Sequence, residues 1–126
     1  LSDGELQEGS VWETALFASY HKLDNLIAIV DYNKIQSLDW VEKIVDLKPL
    51  KEKWEAFGWE TREIDGHSFN KLFESLLKLP LESERPTAII AHTTKGKGIS
   101  FMENSVLWHT KHPDEEEFKN ALKELK

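Results

Sequence analysis

With 126 residues, 40% of them hydrophobic and 31% charged, the chain has the size and composition of one folded domain. Its net charge of −7 argues against nucleic acid as the main partner, because neutralising phosphates takes clustered Lys and Arg. No cysteine is present, which excludes disulfides and thiolate metal sites and fits a cytoplasmic setting. No apolar run reaches the roughly 18 residues that cross a bilayer, and no signal peptide is present, so no membrane partner is expected.

In chain order, the opening "LSDGELQEGS" places an Asp-Gly pair where a strand turns into a helix, with no strand in front of it. Residues 10–23 follow as a helix with Trp12, Ala15, Leu16, Ser19 and Leu23 on one face, and the small Ala15, Ala18 and Ser19 permit close packing. "NLIAIVDY", residues 25–32, is a continuous apolar run of the kind found when both faces of a sheet are covered. Residues 49–57 read as a helix and "WETREI" (59–64) as a strand of imperfect alternation. Residues 68–79 form a helix with Phe69, Leu72, Phe73, Leu76 and Leu77 on one side. "TAIIAH", residues 87–92, is the next strand, entered through Pro86. A last helix begins at "HPDEEEF", where Pro113 suits its first turn and the acidic residues complement its dipole. Residues 33–48 and 93–112 are long loops.

This alternation predicts a single α/β domain over residues 1–126, a three-layer sandwich with a parallel sheet whose first strand or strands are missing. Ligands of such sheets bind beyond the carboxyl ends of the strands, where Asp3–Gly4 and Asp31–Asn33 both fall. Asp3 offers a carboxylate, Asn33 an amide oxygen, and the residues just after Asn33 offer backbone carbonyls. Oxygen ligands in small number suit Mg²⁺ or Ca²⁺, and Mg²⁺ commonly shares its shell with phosphates. Gly4 lets the backbone approach a phosphate closely. Taken from spacing alone, a turn Asp and a turn Asn explain the same residues.

The stretch "SDGELQEGSVWETALFASYHKLDNLIAIVDYNKIQ" resembles the thiamine-diphosphate motif of transketolases, which runs from a Gly-Asp-Gly to an Asn about thirty residues on. "PLKEKWEAFGWETREIDGHS", "RPTAIIAHTTKGKGISFMEN" and "WHTKHPDEEEF" resemble further transketolase segments in the same order. The resemblance implies a thiamine-diphosphate-binding fold with Asp3, the Asn33 side chain and the main-chain carbonyl of Ile35 as ligands of Mg²⁺, for which Ca²⁺ could substitute. Gly4 N–H takes the position that touches the cofactor's diphosphate. Glu8 matches a glutamate at the subunit interface that helps connect two active sites, and His109, in "WHTKH", a histidine near the diphosphate and the reacting end of the substrate.

The implied activity is transfer of a two-carbon ketol unit between sugar phosphates, within pentose phosphate and carbohydrate metabolism. It requires a complementary pyrimidine-binding half, expected as a separate chain in a homo- or hetero-oligomer, so this chain alone is expected to be inactive. The resemblance also implies a long segment ahead of the motif, absent here, while "EEEFKNALKELK" is similar to the natural end of amino-terminal subunits in split transketolases. Ser2 stands in place of the motif's first glycine, Thr110 in place of the glycine usual after His109, and "KIQSLDW" in place of the more common Ile-Asp-Gly loop. The alternatives are another thiamine-diphosphate synthase, such as deoxyxylulose-phosphate synthase, from which "ELQEG" departs, and a non-catalytic scaffold. A generic nucleotide-binding domain lacks any Gly-rich fingerprint. Among the remaining groups, His67 reads as a turn residue starting a helix, His92 as a strand end, "TKGKG" (94–98) as a mobile loop hinge, and the five tryptophans as core or interface residues.

Overall fold

The computed structural model describes all 126 residues. Three strands, β1 (Ile27–Tyr32), β2 (Glu60–Asp65) and β3 (Thr87–His92), form a parallel sheet in the order β1-β3-β2. Helix α1 (Gly9–Tyr20) precedes β1; α2 (Val41–Ile44) and α3 (Leu50–Ala56) lie between β1 and β2; α4 (Phe69–Leu77) joins β2 to β3; and α5 (Glu115–Glu124) closes the chain. Two short 3₁₀ turns, Glu5–Gln7 and Val106–His109, complete the set.

The expected strands and helices are all present within one to three residues at each end. The loop expected over 33–48 contains α2, a single turn too short to carry a period, and that over 93–112 contains the second 3₁₀ turn. Pro113 lies just outside its helix. Asp114 is the cap, accepting from the amides of Glu116 and Glu117, while the Glu117 carboxylate accepts in return from the Asp114 amide.

On the far side of β1 from β3, Leu1–Ser2 add a stub of a fourth strand. Ser2 pairs parallel with Asp31, Leu1 N donates to Ile29 O (2.8 Å), and the Asp31 amide donates to Leu1 O (2.9 Å). Ser2 has no left-handed φ, so serine fits the turn. Its amide donates to Glu5 Oε2, and its hydroxyl accepts from the Glu5 amide.

β3, the central strand, is buried from Thr87 to Ala91. The main core lies on one sheet face, where Val30, Tyr32, Ala88 and Ile90 meet Ala15 and Ala18 of α1 and Trp54 of α3. Trp12, Trp54 and Trp59 stack near one another there, and the indole N–H groups of Trp12 and Trp59 donate to Leu6 O and Ala15 O. A Schellman motif ends α3, with Gly58 N–H donating to Glu55 O and Trp59 N–H to Trp54 O. Gly58 has φ +86°, and a Cβ there would clash with the Ser19 hydroxyl, so glycine is required.

One helix turns opposite to expectation, and another keeps its expected face. In α1, Ala15 is buried with Ala18, and Trp12 and, just past the helix, Leu23 pack against the core; of the expected face Leu16 is exposed. In α4 the small Ser75 packs inward, and Phe69, Phe73, Leu76 and Leu77 face outward. The period was legible, but the inward side is chosen by the close approach that Ala and Ser permit against the sheet.

Candidate functional site

The carboxyl ends of the strands bring together residues separated by thirty positions. Asp3 follows the Leu1–Ser2 stub and Asn33 follows β1, so the pairing of Ser2 with Asp31 sets their loops side by side. Asp3 is fully buried. The Lys34 amide donates to its Oδ2 at 2.5 Å, and Lys34 holds a left-handed φ of 70° as it does so. Asp3 Oδ1 is buried and has no partner. Burial pushes the Asp3 carboxyl up from its ordinary range; the Lys34 amide opposes this and the charge of nearby Asp31 adds to it.

Two further oxygen donors adjoin this carboxylate. Asn33 Oδ1 accepts from the Ile35 amide (3.0 Å), which fixes the side chain in an Asx turn and leaves a second lone pair. The Ile35 carbonyl accepts no hydrogen bond, although Ile35 is itself buried in a bridge to Trp40. Gly4 has an ordinary φ of −65°, and a Cβ there would meet only Gln36, with Oε1 nearest at 3.5 Å, so the fold itself does not demand glycine.

This donor set fits a divalent cation. An orphaned buried carboxylate oxygen costs stability unless a positive charge meets it, and the loop whose Lys34 amide meets this carboxylate carries two neutral oxygens, on Asn33 and Ile35. No three His, Cys, Asp or Glu side chains converge anywhere in the molecule. A hard cation bound here would complete its shell with oxygens of water or of a ligand, and Mg²⁺ commonly shares its shell with phosphates.

The two remaining expected residues lie apart from this group. Glu8 is exposed at the N-cap of α1 and its side chain makes no capping bond. His109 is exposed at the end of the second 3₁₀ turn, and its side chain makes no hydrogen bond. Next to it, Trp108 packs on Phe101, with Lys111 Nζ 4.4 Å above its ring.

Three features of the rim were not legible in the sequence. Gln36 lies against Gly4. His67 Nε2 accepts from the Thr94 amide at 2.7 Å, tying the β2–α4 turn to the loop after β3, and Thr93 Oγ1 donates to the Asp31 carboxylate. A cleft of about 580 Å³ opens beside Lys34, lined among others by Tyr32, Trp40, Lys48, Glu63 and His92, with His92 Nε2 3.1 Å from Glu63 Oε1. The segment Thr94–Gly98, expected as a hinge, is held at its far end: Gly98 N–H donates to Glu103, and the nearby Ser100 hydroxyl donates to Glu124 of α5.

A parallel α/β sheet with an oxygen-rich loop pair on its carboxyl rim defines a ligand-binding domain of the doubly wound kind. The family model described as "Transketolase, thiamine diphosphate binding domain" matches residues 1–125, and the chain belongs to the transketolase family. An apulose-4-phosphate transketolase subunit from Actinobacillus succinogenes is 47% identical over 124 residues, 98% of this chain and 45% of that protein. A 6-deoxy-6-sulfo-D-fructose transketolase subunit from a Clostridium species is 41% identical over 99% of this chain and 46% of its own length. Human transketolase is 44% identical over 88% of this chain and 17% of its own. Among solved structures, transketolase from Campylobacter jejuni superposes with a TM-score of 0.89 at 35% identity, covering 98% of this chain and 19% of that one. The chain thus spans less than half the length of the curated subunits it matches.

Proposed function

We propose that this chain supplies the diphosphate-binding half-site of a transketolase that moves a two-carbon ketol unit between sugar phosphates. The observation that carries the reading is the buried Asp3 carboxylate, whose Oδ1 lacks a partner while its Oδ2 is held by the loop that carries Asn33 and Ile35. Asp3, Asn33 and the Ile35 carbonyl would hold Mg²⁺, with Ca²⁺ as a possible substitute, and the Gly4 N–H would meet the diphosphate. When bound, thiamine diphosphate supplies the carbanion chemistry that breaks and re-forms a C–C bond beside a ketose carbonyl.

This chain's own work is positioning and charge compensation. The Lys34 amide orients Asp3 through Oδ2 and leaves Oδ1 for the metal. The Ile35 amide orients Asn33. Glu8, exposed on α1, would face a neighbouring protomer, and His109 would meet the substrate near the diphosphate; both roles draw on the family pattern in "ELQEG" and "WHTKH". Relatives named as single subunits of a transketolase support a separate partner chain, here a pyrimidine-binding half. The absence of cysteine is consistent with a cytoplasmic site, and pentose phosphate interconversion is the metabolic setting we favour.

Calorimetric titration of thiamine diphosphate into the chain, with and without Mg²⁺ and then with a pyrimidine-binding chain added, tests this reading. Mg²⁺-dependent binding that tightens with the partner is expected, with turnover only when both chains are present. Binding indifferent to Mg²⁺, or none under any condition, overturns it.

A further inference from the structure

We propose that Gln36 is a further residue of the cofactor site, donating a hydrogen bond from its side-chain amide to a diphosphate oxygen; this rests on the metal–diphosphate reading above. The side chain runs along Gly4, its Oε1, Cδ and Cγ lying 3.5, 3.7 and 3.8 Å from where a Cβ on Gly4 would stand. Its backbone is anchored, because the Gln36 amide donates to Asp39 O (2.9 Å) next to the Ile35–Trp40 bridge. Yet Gln36 Nε2 is buried and donates to nothing.

Orphaned buried polar atoms are few in native folds, and each calls for an explanation. Here the two loops that meet at the rim carry two, of opposite need: Asp3 Oδ1 lacks a positive partner, and Gln36 Nε2, on the side chain that runs along Gly4, lacks a negative one. A cation alone satisfies only the first. An anion alone satisfies only the second and meets the Asp3 charge. A metal-bound diphosphate satisfies both, the metal at Asp3 and a phosphate oxygen at Gln36. The amide is neutral, so it adds a donor without competing with the metal for the phosphate charge, as a lysine in its place would.

The test uses Gln36→Met, which keeps length and volume but removes the donor, and Gln36→Glu, which keeps the shape and reverses the polarity. Calorimetry with thiamine diphosphate and with inorganic pyrophosphate, both in Mg²⁺, reads the binding, while thermal denaturation without ligand reads the fold. Loss of one hydrogen bond to a charged group weakens both ligands by about ten- to a hundredfold in the Met variant, and the Glu variant binds still more weakly. Without ligand, the Met variant melts at or above the wild-type temperature, since it sheds an unsatisfied donor. A residue present only for structure would lower that temperature.

Wild-type affinity retained in both variants overturns the inference and leaves the half-site reading standing. So does a Met variant that loses binding and thermal stability together. If wild type binds neither ligand in Mg²⁺, the half-site reading falls and takes this inference with it.

Discussion

At the scale of single residues, the rim shows side chains placed for something other than stability. Asp3 is buried, its carboxyl pushed up by that burial, and half of it has no partner. Asp3→Asn removes the buried charge while keeping an oxygen for the Lys34 amide. The ligand-free variant is expected to melt no lower than wild type at neutral pH, and Mg²⁺-dependent binding of thiamine diphosphate to fall by more than about a hundredfold; calorimetry and a melting curve check the two halves. Asp3, Gly4 and Asn33 stand out in the sequence as residues of oxygen-rich strand ends and Ile35 through the family resemblance, and the fold does set their two loops side by side. Gln36 does not stand out, since a glutamine in a polar loop carries no period and its neighbour Gly4 lies far back in the chain. His67 was legible only as a turn residue, and its amide, donating to Asp65 Oδ1, does hold that turn. Its ring's bond to the Thr94 amide crosses between loops, which sequence spacing does not report. His67→Leu should therefore speed hydrogen exchange at Thr94, whereas His67→Gln, which restores an acceptor, should keep it slow; equal exchange in both would show that the bond does not hold the loop.

Among the elements, those with a period or a cap were legible and those without were not. β3 falls on the expected residues because its apolar run is bounded by Pro86 and the polar loop after His92. α2, one turn long, offers no pattern to find. α5 is held at its start by the reciprocal Asp114–Glu117 bonds, and Lys111 also meets the Glu117 carboxylate. That lysine contact and the Asp114 amide lower the Glu117 pKa. A lowered carboxylate contributes stability above its unfolded value and loses it as pH falls through the lower folded value. The protection factors of the α5 amides, taken relative to the intrinsic exchange rate at each pH, should thus fall on acidification below the ordinary glutamate range, and Glu117→Gln should flatten that dependence. Asp114→Ala, which removes the cap outright, is expected to cost about 1 kcal/mol, read by urea denaturation.

For the molecule as a whole, the parallel order was legible from alternation, but the outward turn of α4 was not. The outward Phe69, Phe73 and Leu77 of α4, together with Phe118 of α5 and Leu125 just past it, leave more large apolar side chains in water than a chain of this size usually tolerates. β1 likewise leaves Ile27 and Ile29 exposed while β3 is buried from Thr87 to Ala91. Association of the isolated chain is the expected outcome, and Phe73→Glu with Leu77→Glu should reduce it in light scattering without lowering the melting temperature, because both positions are exposed. Unchanged association would place the contact elsewhere.

The stub at Leu1–Ser2 adds a further property. It is tied to β1 by two backbone bonds, from Leu1 N and from the Asp31 amide, and by the Lys34 amide on Asp3. A metal held jointly by Asp3 and Asn33 would couple the segment Leu1–Asp3 to the loop that follows β1. Loading the site would then act as a latch on the Leu1–Asp3 arm, slowing exchange at the Asp31 and Lys34 amides before any sugar arrives.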